Sequence, residues 1–382
     1  MNSLEKCLYD LSNTSIAQLA SKVCSNEVVM IGEASHGTKE FYYWRQELTK
    51  HLLKDVNFKF IGIEGDWPAM SKINDYVIGK IDDVDAAFSL IKRWPRWMWA
   101  NEEFKEFIEW LRIFNLENKR TVKVFGLDVY SSYESINHVL DKLETVDIPM
   151  HERAREKYSR FDPFSADEQE YLHSLATDEL VDLLKLMMIG KEQKSFDQHQ
   201  KQIYRTMMFC NEDSWNVRDH LMMETFDALL QIYGKGSKGI IWAHNTHVGD
   251  YRATDMARFG LVNIGGLGRQ RYKDVCLVGF GSHEGSVTAS QQWAGKVESL
   301  TVPPSRKDSW ENVFVDKKGC YFLMCELDKE AKEYVNSKKG LRAIGVVYHP
   351  EMERVHNYVP SIMAKRFDVF IFVRETQALR PL

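Results

Sequence analysis

The feature that most constrains the fold is an alternation of short apolar segments with amphipathic helical segments towards both ends of the chain. Seven segments are apolar enough to be strands that are buried on both faces, as in parallel sheets. They are residues 28–31, 59–63, 122–125, 239–242, 275–280, 343–348 and 369–373. Apolar residues spaced by three and four predict helices over residues 38–53 and 101–114. The alternation predicts an α/β fold with a mainly parallel central sheet flanked by helices.

The middle of the chain lacks this alternation. Between residues 148 and 236 there is no convincing strand, and charged helical segments end at Gly234 and Gly236. We therefore predict three parts: a first part of an α/β core in residues 1–147, a helical insertion in 148–236, and a second part of the core in 237–382. Such an insertion forms either one wall of a binding site or an outer helical layer without a binding role.

Length and charge exclude several classes of protein. The chain has 382 residues, of which 44% are hydrophobic, so it can bury a large core. Its net charge of -5 gives no basic surface of the kind that attracts nucleic acid. The first residues lack a secretory signal pattern, and no apolar run reaches the roughly 18 residues that a membrane helix needs. We expect a cytoplasmic protein that binds neither nucleic acid nor membranes.

Ionisable side chains follow three of the predicted strands directly. Because ligands of α/β proteins bind beyond the carboxyl ends of parallel strands, we expect these side chains to lie close together. Buried charges are unfavourable unless they are paired or used, so three such strand ends indicate a functional site. The set consists of Glu33, His36, Glu64, Asp66, His244, His247 and Asp250.

Several catalytic signatures are absent from the sequence. It contains no G-x-S-x-G, G-x-x-x-x-G-K-[ST], H-E-x-x-H or G-x-G-x-x-G motif, which disfavours common serine hydrolases, P-loop enzymes and dinucleotide enzymes. The remaining histidines and carboxylates favour hydrolysis by directly activated water, since a neutral imidazole can take a proton from water. His36 is the first candidate for this base, and Glu33 would orient its ring. This scheme requires no cofactor.

Two alternatives stay open at this point. The same His and Glu side chains are acceptable ligands for zinc, which lowers the pKa of a bound water to about 7, although no recognised ligand spacing is present. Alternatively, a small-molecule or cofactor-binding protein would use the histidines as ligands or hydrogen-bond donors. These are a metal-dependent hydrolase and a non-enzymatic binder, respectively.

Tryptophans are concentrated in the segment KRWPRWMWANEEF, residues 92–104. Trp94, Trp97 and Trp99 predict either the apolar wall of a pocket for a bulky substrate or plain packing. His283 follows the predicted strand 275–280 and would face the same crevice.

Six segments together carry a resemblance to a known family. In chain order they are GEASHGTKEFYYWRQELTKHLL, FIGIEGDWPAMSKINDYVIG, VFGLDVYSSYESI, NVRDHLMMETF, WAHNTHVGD and VGFGSHEGSVTAS. The sequence resembles the erythromycin esterase family over most of its length. The resemblance implies an α/β core with helical additions and hydrolysis of a small-molecule carboxylic ester or lactone. A macrolide is one candidate, and macrolide hydrolysis would imply antibiotic resistance.

The resemblance also implies roles for individual residues. His36 corresponds to the proposed general base, with Glu33, Arg45 and His244 as further catalytic positions and Glu64 in the pocket. Arg45 or protonated His244 would stabilise the oxyanion of the reaction. Further candidates for substrate binding are Asp66, Trp67, Trp99, Arg218, Asp219, His247 and His283.

Overall fold

The computed structural model describes residues 2–128, 140–141, 143–145, 148–158 and 214–382. These residues form eleven strands, which we number in chain order. They are β1 (Tyr9–Asp10), β2 (Val28–Ile31), β3 (Phe58–Asp66), β4 (Lys123–Asp128), β5 (Lys238–Trp242), β6 (Val275–Ser290), β7 (Val297–Val302), β8 (Gly319–Leu323), β9 (Lys338–Arg342), β10 (Tyr358–Ile362) and β11 (Val369–Thr376).

Nine of these strands form one sheet in the order β1-β8-β11-β6-β2-β5-β3-β4, with β7 paired to β6 off this path. All neighbours from β11 to β4 are parallel. β8 and β1 extend one edge in antiparallel fashion, whereas β9 and β10 pair separately. The large, mainly parallel sheet confirms the predicted fold class. It also makes β2, β5 and β3 neighbours, so their carboxyl ends open into one crevice.

The described helices are numbered in the same way. They are α1 (Asn2–Glu5), α2 (Asn13–Val23), α3 (Lys39–Leu52), α4 (Trp67–Val77), α5 (Val84–Phe88), α6 (Glu102–Glu117), α7 (Ile148–Tyr158), α8 (Ser214–Tyr233), α9 (Asn245–Val248), α10 (Ile264–Arg271), α11 (Lys329–Val335), α12 (Glu353–His356) and α13 (Met363–Arg366).

Helices cover the sheet on both faces, as alternate residues of β2 show. Val29 and Ile31 belong to an apolar cluster with α2, α3, α4 and α6. Val28 and Met30 belong to a second cluster with α8, α10 and α11. All four side chains are fully buried. Burial on both faces explains why the strand is apolar throughout instead of alternating with polar residues.

The helix signals in the sequence are confirmed within two or three residues. Predicted helix 38–53 is α3, with Thr38 at its N-cap. Predicted helix 101–114 is α6, whose N-cap Asn101 accepts a hydrogen bond from the Phe104 N–H at 2.7 Å. An Asn oxygen satisfies an amide that has no partner in the first turn of the helix.

The predicted strand at residues 343–348 is wrong. β9 ends at Arg342, and the following residues make only isolated bridges, from Ile344 to Ser35 and from Val347 to Ser290. Ala343, Gly345 and Val346 instead line a cavity at the sheet edge. Ile344 and Tyr348 are buried in a small separate cluster with Val287 and Ala289, so the segment is apolar because it packs between this cluster and the cavity.

Other strands differ from prediction in extent. Predicted strand 122–125 is β4, which begins and ends later, while 59–63 and 275–280 are parts of the longer β3 and β6. β7, β9 and β10 were not predicted, since each is partly exposed and carries charged residues or proline. β8 was not predicted either, although four of its five residues are buried.

Only part of the predicted helical insertion can be compared with the structure. Of its described residues, 148–158 and 214–233 are helical as α7 and α8, and 234–236 form a turn. Residues 159–213 lie outside the described residues, and the division into three parts stays a prediction. Within the described chain, no helix is both long and apolar enough to span a membrane.

Candidate active site

The loop between β2 and α3 carries His36 and is held by close backbone contacts. A Cβ atom on Gly37 would lie 1.8 Å from the Thr288 carbonyl oxygen, so only glycine fits at this position. The Gly37 carbonyl accepts hydrogen bonds from the amides of Thr288 and Leu379 at 2.9 and 3.0 Å. The chain segment around residue 379 therefore fixes the position of the His36 loop.

Three side chains form a linear series at this loop, which we call the Glu33 cluster: His36, Glu33 and Arg45. His36 Nδ1 lies 2.8 Å from Glu33 Oε1, and Glu33 Oε2 lies 2.8 Å from Arg45 Nη2. Glu33 and Arg45 are fully buried, whereas His36 keeps 8% of its surface exposed. A carboxylate paired with arginine accepts a hydrogen bond, so His36 carries a proton on Nδ1 and presents the lone pair of Nε2 when neutral.

The helical period of α3 explains why Arg45 is buried. Its position falls on the same face as Phe41, Leu48 and Leu52, which are fully buried. The Arg45 guanidinium stacks between aromatic rings, with Cζ 4.6 Å from the Tyr42 ring centre and 4.7 Å from that of Trp242. Aromatic faces partly replace the water that the cation has lost.

His244 follows β5 and lies beside His36, with 4.8 Å between the ring centres. Its Nδ1 atom lies 2.8 Å from the Thr246 hydroxyl, and its backbone N–H donates to Glu64 Oε2 at 2.7 Å. Burial lowers the pKa of His244 well below its usual range, and a positive charge on His36 would lower it further. His244 is therefore neutral at pH 7, whereas the sequence argument had considered it protonated.

Glu64 lies near the carboxyl end of β3 and belongs to a second group, the Arg218 cluster, with Asp128, Arg218, Asp219 and His247. Arg218 Nη2 donates to Glu64 Oε1 at 2.7 Å and to Asp128 Oδ2 at 2.6 Å. Burial would raise the pKa of Glu64, but His247 and Arg218 outweigh it and hold that pKa well below its usual range. Glu64 is therefore a carboxylate.

His247 lies between two carboxylates of the Arg218 cluster. Its Nδ1 atom is 2.8 Å from Asp219 Oδ2, and its Nε2 atom is 3.2 Å from Glu64 Oε1. Burial disfavours its charge, but Asp219 and Glu64 overcome this and raise the pKa of His247 to about 9. Arg218 Nη1, 2.9 Å from Nε2, opposes protonation, yet two carboxylates outweigh one cation. The indole of Trp215 stacks on the His247 ring at 4.5 Å.

The two clusters adjoin a cavity of about 540 Å³. Its polar lining includes His36, Glu64, Arg218, His244 and His247. The Asp66 carboxylate also lines it, 3.7 Å from the Arg93 guanidinium. The apolar wall holds side chains large enough to contact a bulky ligand. It comprises Met70, Leu90, Ile91, Trp94, Met98, Trp99, Trp215, Trp293 and Val346.

Five of the predicted site residues do not line the cavity. Glu33, Arg45 and Asp219 lie behind it, each bonded to a histidine or carboxylate of the clusters. Trp67 stacks on Phe125 at 5.4 Å in the apolar core. His283 Nδ1 lies 2.8 Å from the Ser305 hydroxyl, and His283 contributes nothing to the cavity wall.

Sequence reasoning missed several residues that the structure brings to the site. Asp128 ends β4 after an apolar run, which is the same signal that identified Glu64. Thr246 lies within the AHNTH segment beside two predicted histidines. No local pattern distinguishes Trp215 or Trp293, because their positions depend on distant parts of the chain.

A metal ion finds no ready ligand set in the described residues. None of their His, Cys, Asp and Glu side chains form a group of three or more with metal-binding geometry. Glu64 and Asp128, which face the cavity, are instead engaged by Arg218.

Comparison with known proteins adds independent information. The family model described as erythromycin esterase matches residues 54–376. Erythromycin esterase type II of Escherichia coli is 29% identical over 102 residues, which are 27% of this chain and 23% of that protein. The chain thus aligns with about a quarter of the length of this curated relative.

Solved structures resemble this chain along nearly its whole length. A succinoglycan biosynthesis protein and a Bacillus cereus protein, each 19% identical, give TM-scores of 0.82 and 0.81. Both similarities cover 99% of this chain and 97% of the other. An erythromycin esterase mutant in its open conformation is 16% identical, with a TM-score of 0.65 over 97% of this chain and 95% of its own. At these identities the similarities show a shared fold.

Proposed function

Because this chain belongs to the erythromycin esterase family, we propose that it is a hydrolase that cleaves a carboxylic ester or lactone. The observation that carries the proposal is the Glu33 cluster, which leaves His36 Nε2 as a hydrogen-bond acceptor beside the cavity. A base oriented in this way, with no nucleophilic side chain bonded to it among the described residues, suits direct activation of water. Glu33 sets the ring tautomer, and Arg45 holds Glu33 from behind.

The proposed reaction begins when His36 Nε2 takes a proton from a water molecule in the cavity. The resulting hydroxide forms a bond to the carbonyl carbon, and the carbonyl electron pair moves to oxygen. When this intermediate collapses, the bond to the alcohol oxygen breaks, and that oxygen takes the proton from His36. The products are an acid and an alcohol, or a hydroxy acid if the substrate is a lactone.

Arg45 does not contact the oxyanion in this scheme, because it lies behind Glu33 and away from the cavity wall. Its role is to neutralise and position Glu33. Asp219 plays a corresponding part for His247. The proposed contacts to substrate come from Asp66, Trp99, Arg218 and His247, which line the cavity.

The cavity favours a bulky and largely apolar substrate. Four tryptophans line it, and aromatic side chains of this kind bind large apolar rings. A macrolide lactone is one candidate of this chemistry, and the similarity to erythromycin esterase type II of Escherichia coli supports its inclusion. A small-molecule binding protein would use the same wall, and the experiment below separates the two.

The proposal is tested by incubating the protein with a panel of macrolides, smaller lactones and aryl esters. Mass spectrometry should detect addition of one water to at least one compound. His36→Gln should lower kcat by about 10²- to 10⁴-fold, the usual contribution of a general base, with little change in melting temperature.

The matched control is His51→Gln, which changes a partly exposed histidine on α3, outside the cavity. It should hydrolyse at the wild-type rate. Wild-type activity in His36→Gln would refute the base assignment. Binding without a change of mass, across the whole panel, would favour the non-enzymatic binder.

A further inference from the structure

The His244 side chain caps the amino terminus of α9. Its Nδ1 atom accepts a hydrogen bond from the Thr246 backbone N–H at 3.3 Å, and the Thr246 hydroxyl lies 2.8 Å from the same atom. A backbone N–H can only donate, whereas a hydroxyl can rotate to donate as well. Both contacts therefore suit a lone pair on Nδ1. A neutral imidazole with this lone pair carries its proton on Nε2.

The opposite tautomer fits the cap less well. With a proton on Nδ1, the Thr246 hydroxyl would have to accept, and the Thr246 N–H would point at another proton. A donor that loses its acceptor in a partly buried position shifts such an equilibrium by roughly tenfold or more. The helix cap therefore selects one tautomer of His244.

When the cap engages Nδ1, the proton of the His244 ring is on the Nε2 atom. It is buried and has no hydrogen-bond partner among the residues that the structure describes. The Ala34 carbonyl lies close enough to raise the pKa of His244, but it makes no hydrogen bond of good geometry with Nε2. A buried donor without an acceptor is rare in proteins and is explained where a ligand atom completes the bond. Here the donor belongs to a ring that lines the cavity beside His36.

We propose that the α9 cap fixes His244 as the neutral Nε2–H tautomer, and that this N–H donates to the substrate carbonyl oxygen as negative charge develops there. His244 contacts the reacting oxygen, and Thr246 is its positioning residue. The donor role rests on the proposed ester hydrolysis, whereas the tautomer does not. No proton leaves His244, because only the carbonyl electron pair moves towards it while hydroxide adds to the carbon.

A neutral donor also fits the chemistry of its neighbour. When His36 takes the proton from water it becomes a cation, with its ring centre 4.8 Å from that of His244. A second imidazolium at this distance would repel it and oppose proton transfer. A neutral N–H stabilises the oxyanion without this repulsion.

The tautomer is tested by long-range ¹H–¹⁵N NMR of the histidine rings in the wild-type protein near pH 7.5, with signals assigned through His244→Gln. The expected spectrum shows His244 Nδ1 as unprotonated and Nε2 as protonated. A protonated Nδ1 would overturn the proposal. This measurement needs no substrate and therefore stands even if no ester is hydrolysed.

The positioning role is tested with Thr246→Val and Thr246→Ser. Valine keeps the backbone donor but removes the hydroxyl, so it should shift the nitrogen signals of His244 towards the other tautomer and lower kcat roughly 2- to 10-fold. Serine should restore both. Wild-type spectra and kcat in the valine variant would overturn the role of Thr246. If no panel ester is hydrolysed, the donor role fails with the proposed function, and the spectrum alone decides the tautomer.

Discussion

The Glu33 cluster and the Arg218 cluster both lie at the carboxyl ends of the parallel strands, but the contacts within them are arranged differently. In the first, a single carboxylate joins His36 to Arg45. In the second, Arg218 contacts both Glu64 and Asp128, and His247 contacts two carboxylates in turn. The first is a linear series in which Glu33 has a hydrogen bond to His36 on one side and an ion pair with Arg45 on the other. The second is a network in which most groups have two partners.

The linear series serves to orient the His36 ring, whereas the network serves to stabilise buried charges. A linear series fixes the direction of one ring and leaves its far nitrogen available, but it has no spare contact if one member is lost. A network holds each charge from two sides, and both nitrogens of His247 already face partners. The Arg218 cluster holds more charged groups than the Glu33 cluster. The proposed reactive group is nevertheless His36, because its Nε2 atom can still accept a proton.

The largest expected effect is on stability in Glu33→Gln. This change leaves Arg45, fully buried, without its carboxylate, so the free energy of unfolding should fall by about 3–5 kcal/mol. Asp128→Asn is the matched variant in the network. There Arg218 keeps Glu64, and the loss should be only about 1–2 kcal/mol. Urea unfolding of both variants measures the difference, and an equal or larger loss in Asp128→Asn would contradict the comparison.

The second prediction concerns the pH dependence of the free energy of unfolding, which involves only the Arg218 cluster. Burial opposes the charge of His247, but Asp219 and Glu64 raise its pKa to about 9, against about 6.5 in the unfolded chain. The resulting stabilisation is present below pH 6.5 and is lost as the pH rises through 9. Its full size is on the order of 3 kcal/mol. Urea unfolding between pH 6 and 10 should show this decline in the wild type.

His247→Gln provides the control for the pH effect. Other groups, such as lysines and tyrosines, titrate near pH 10 in both proteins, so the difference between wild type and variant isolates His247. That difference should shrink as the pH rises through 9. A difference that is constant with pH would mean that His247 is not held as a cation.

The smallest expected effect is at Trp99, which contacts both clusters. Its indole N–H donates to the Glu64 carbonyl at 2.7 Å, and its ring centre lies 5.6 Å from Arg45 Cζ. Trp99→Phe should lower the free energy of unfolding by about 1 kcal/mol and reduce kcat/KM a few-fold, since the ring also lines the cavity. Trp67→Phe, the same change in the core, should leave kcat/KM unaltered. Equal kinetic effects would remove the distinction between the two tryptophans.

Much of the fold and part of the site followed from local pattern. Fully apolar strands and amphipathic helices predicted the parallel sheet, and the rule for strand ends brought Glu33, His36, Glu64 and His244 together in one prediction. Arg45 was expected only from the family resemblance, and its burial agrees with the helical period of α3. These inferences succeed because a strand fixes where its own next residues lie, and a helix fixes its own faces.

The remaining features depend on contacts between distant segments. Trp67 and Trp99 both occur in apolar surroundings, and only the tertiary packing puts one in the core and the other at the cavity. The strand order in which β5 lies between β2 and β3 joins segments on either side of the predicted insertion. The prediction of a strand at 343–348 was wrong for the same reason, since an apolar cavity wall and a buried strand have similar composition.

The backbone contacts that hold the His36 loop also determine when the site can form during synthesis. Besides the bond from Leu379 to Gly37, the Lys39 amide donates to the Gln377 carbonyl, and the Glu40 carboxylate accepts from the Gln377 amide, 337 positions later in the chain. Such long sequence separations delay folding, because the intervening chain must be ordered first. A nascent chain that already contains His36 therefore has no assembled site until the segment 377–379 has left the ribosome.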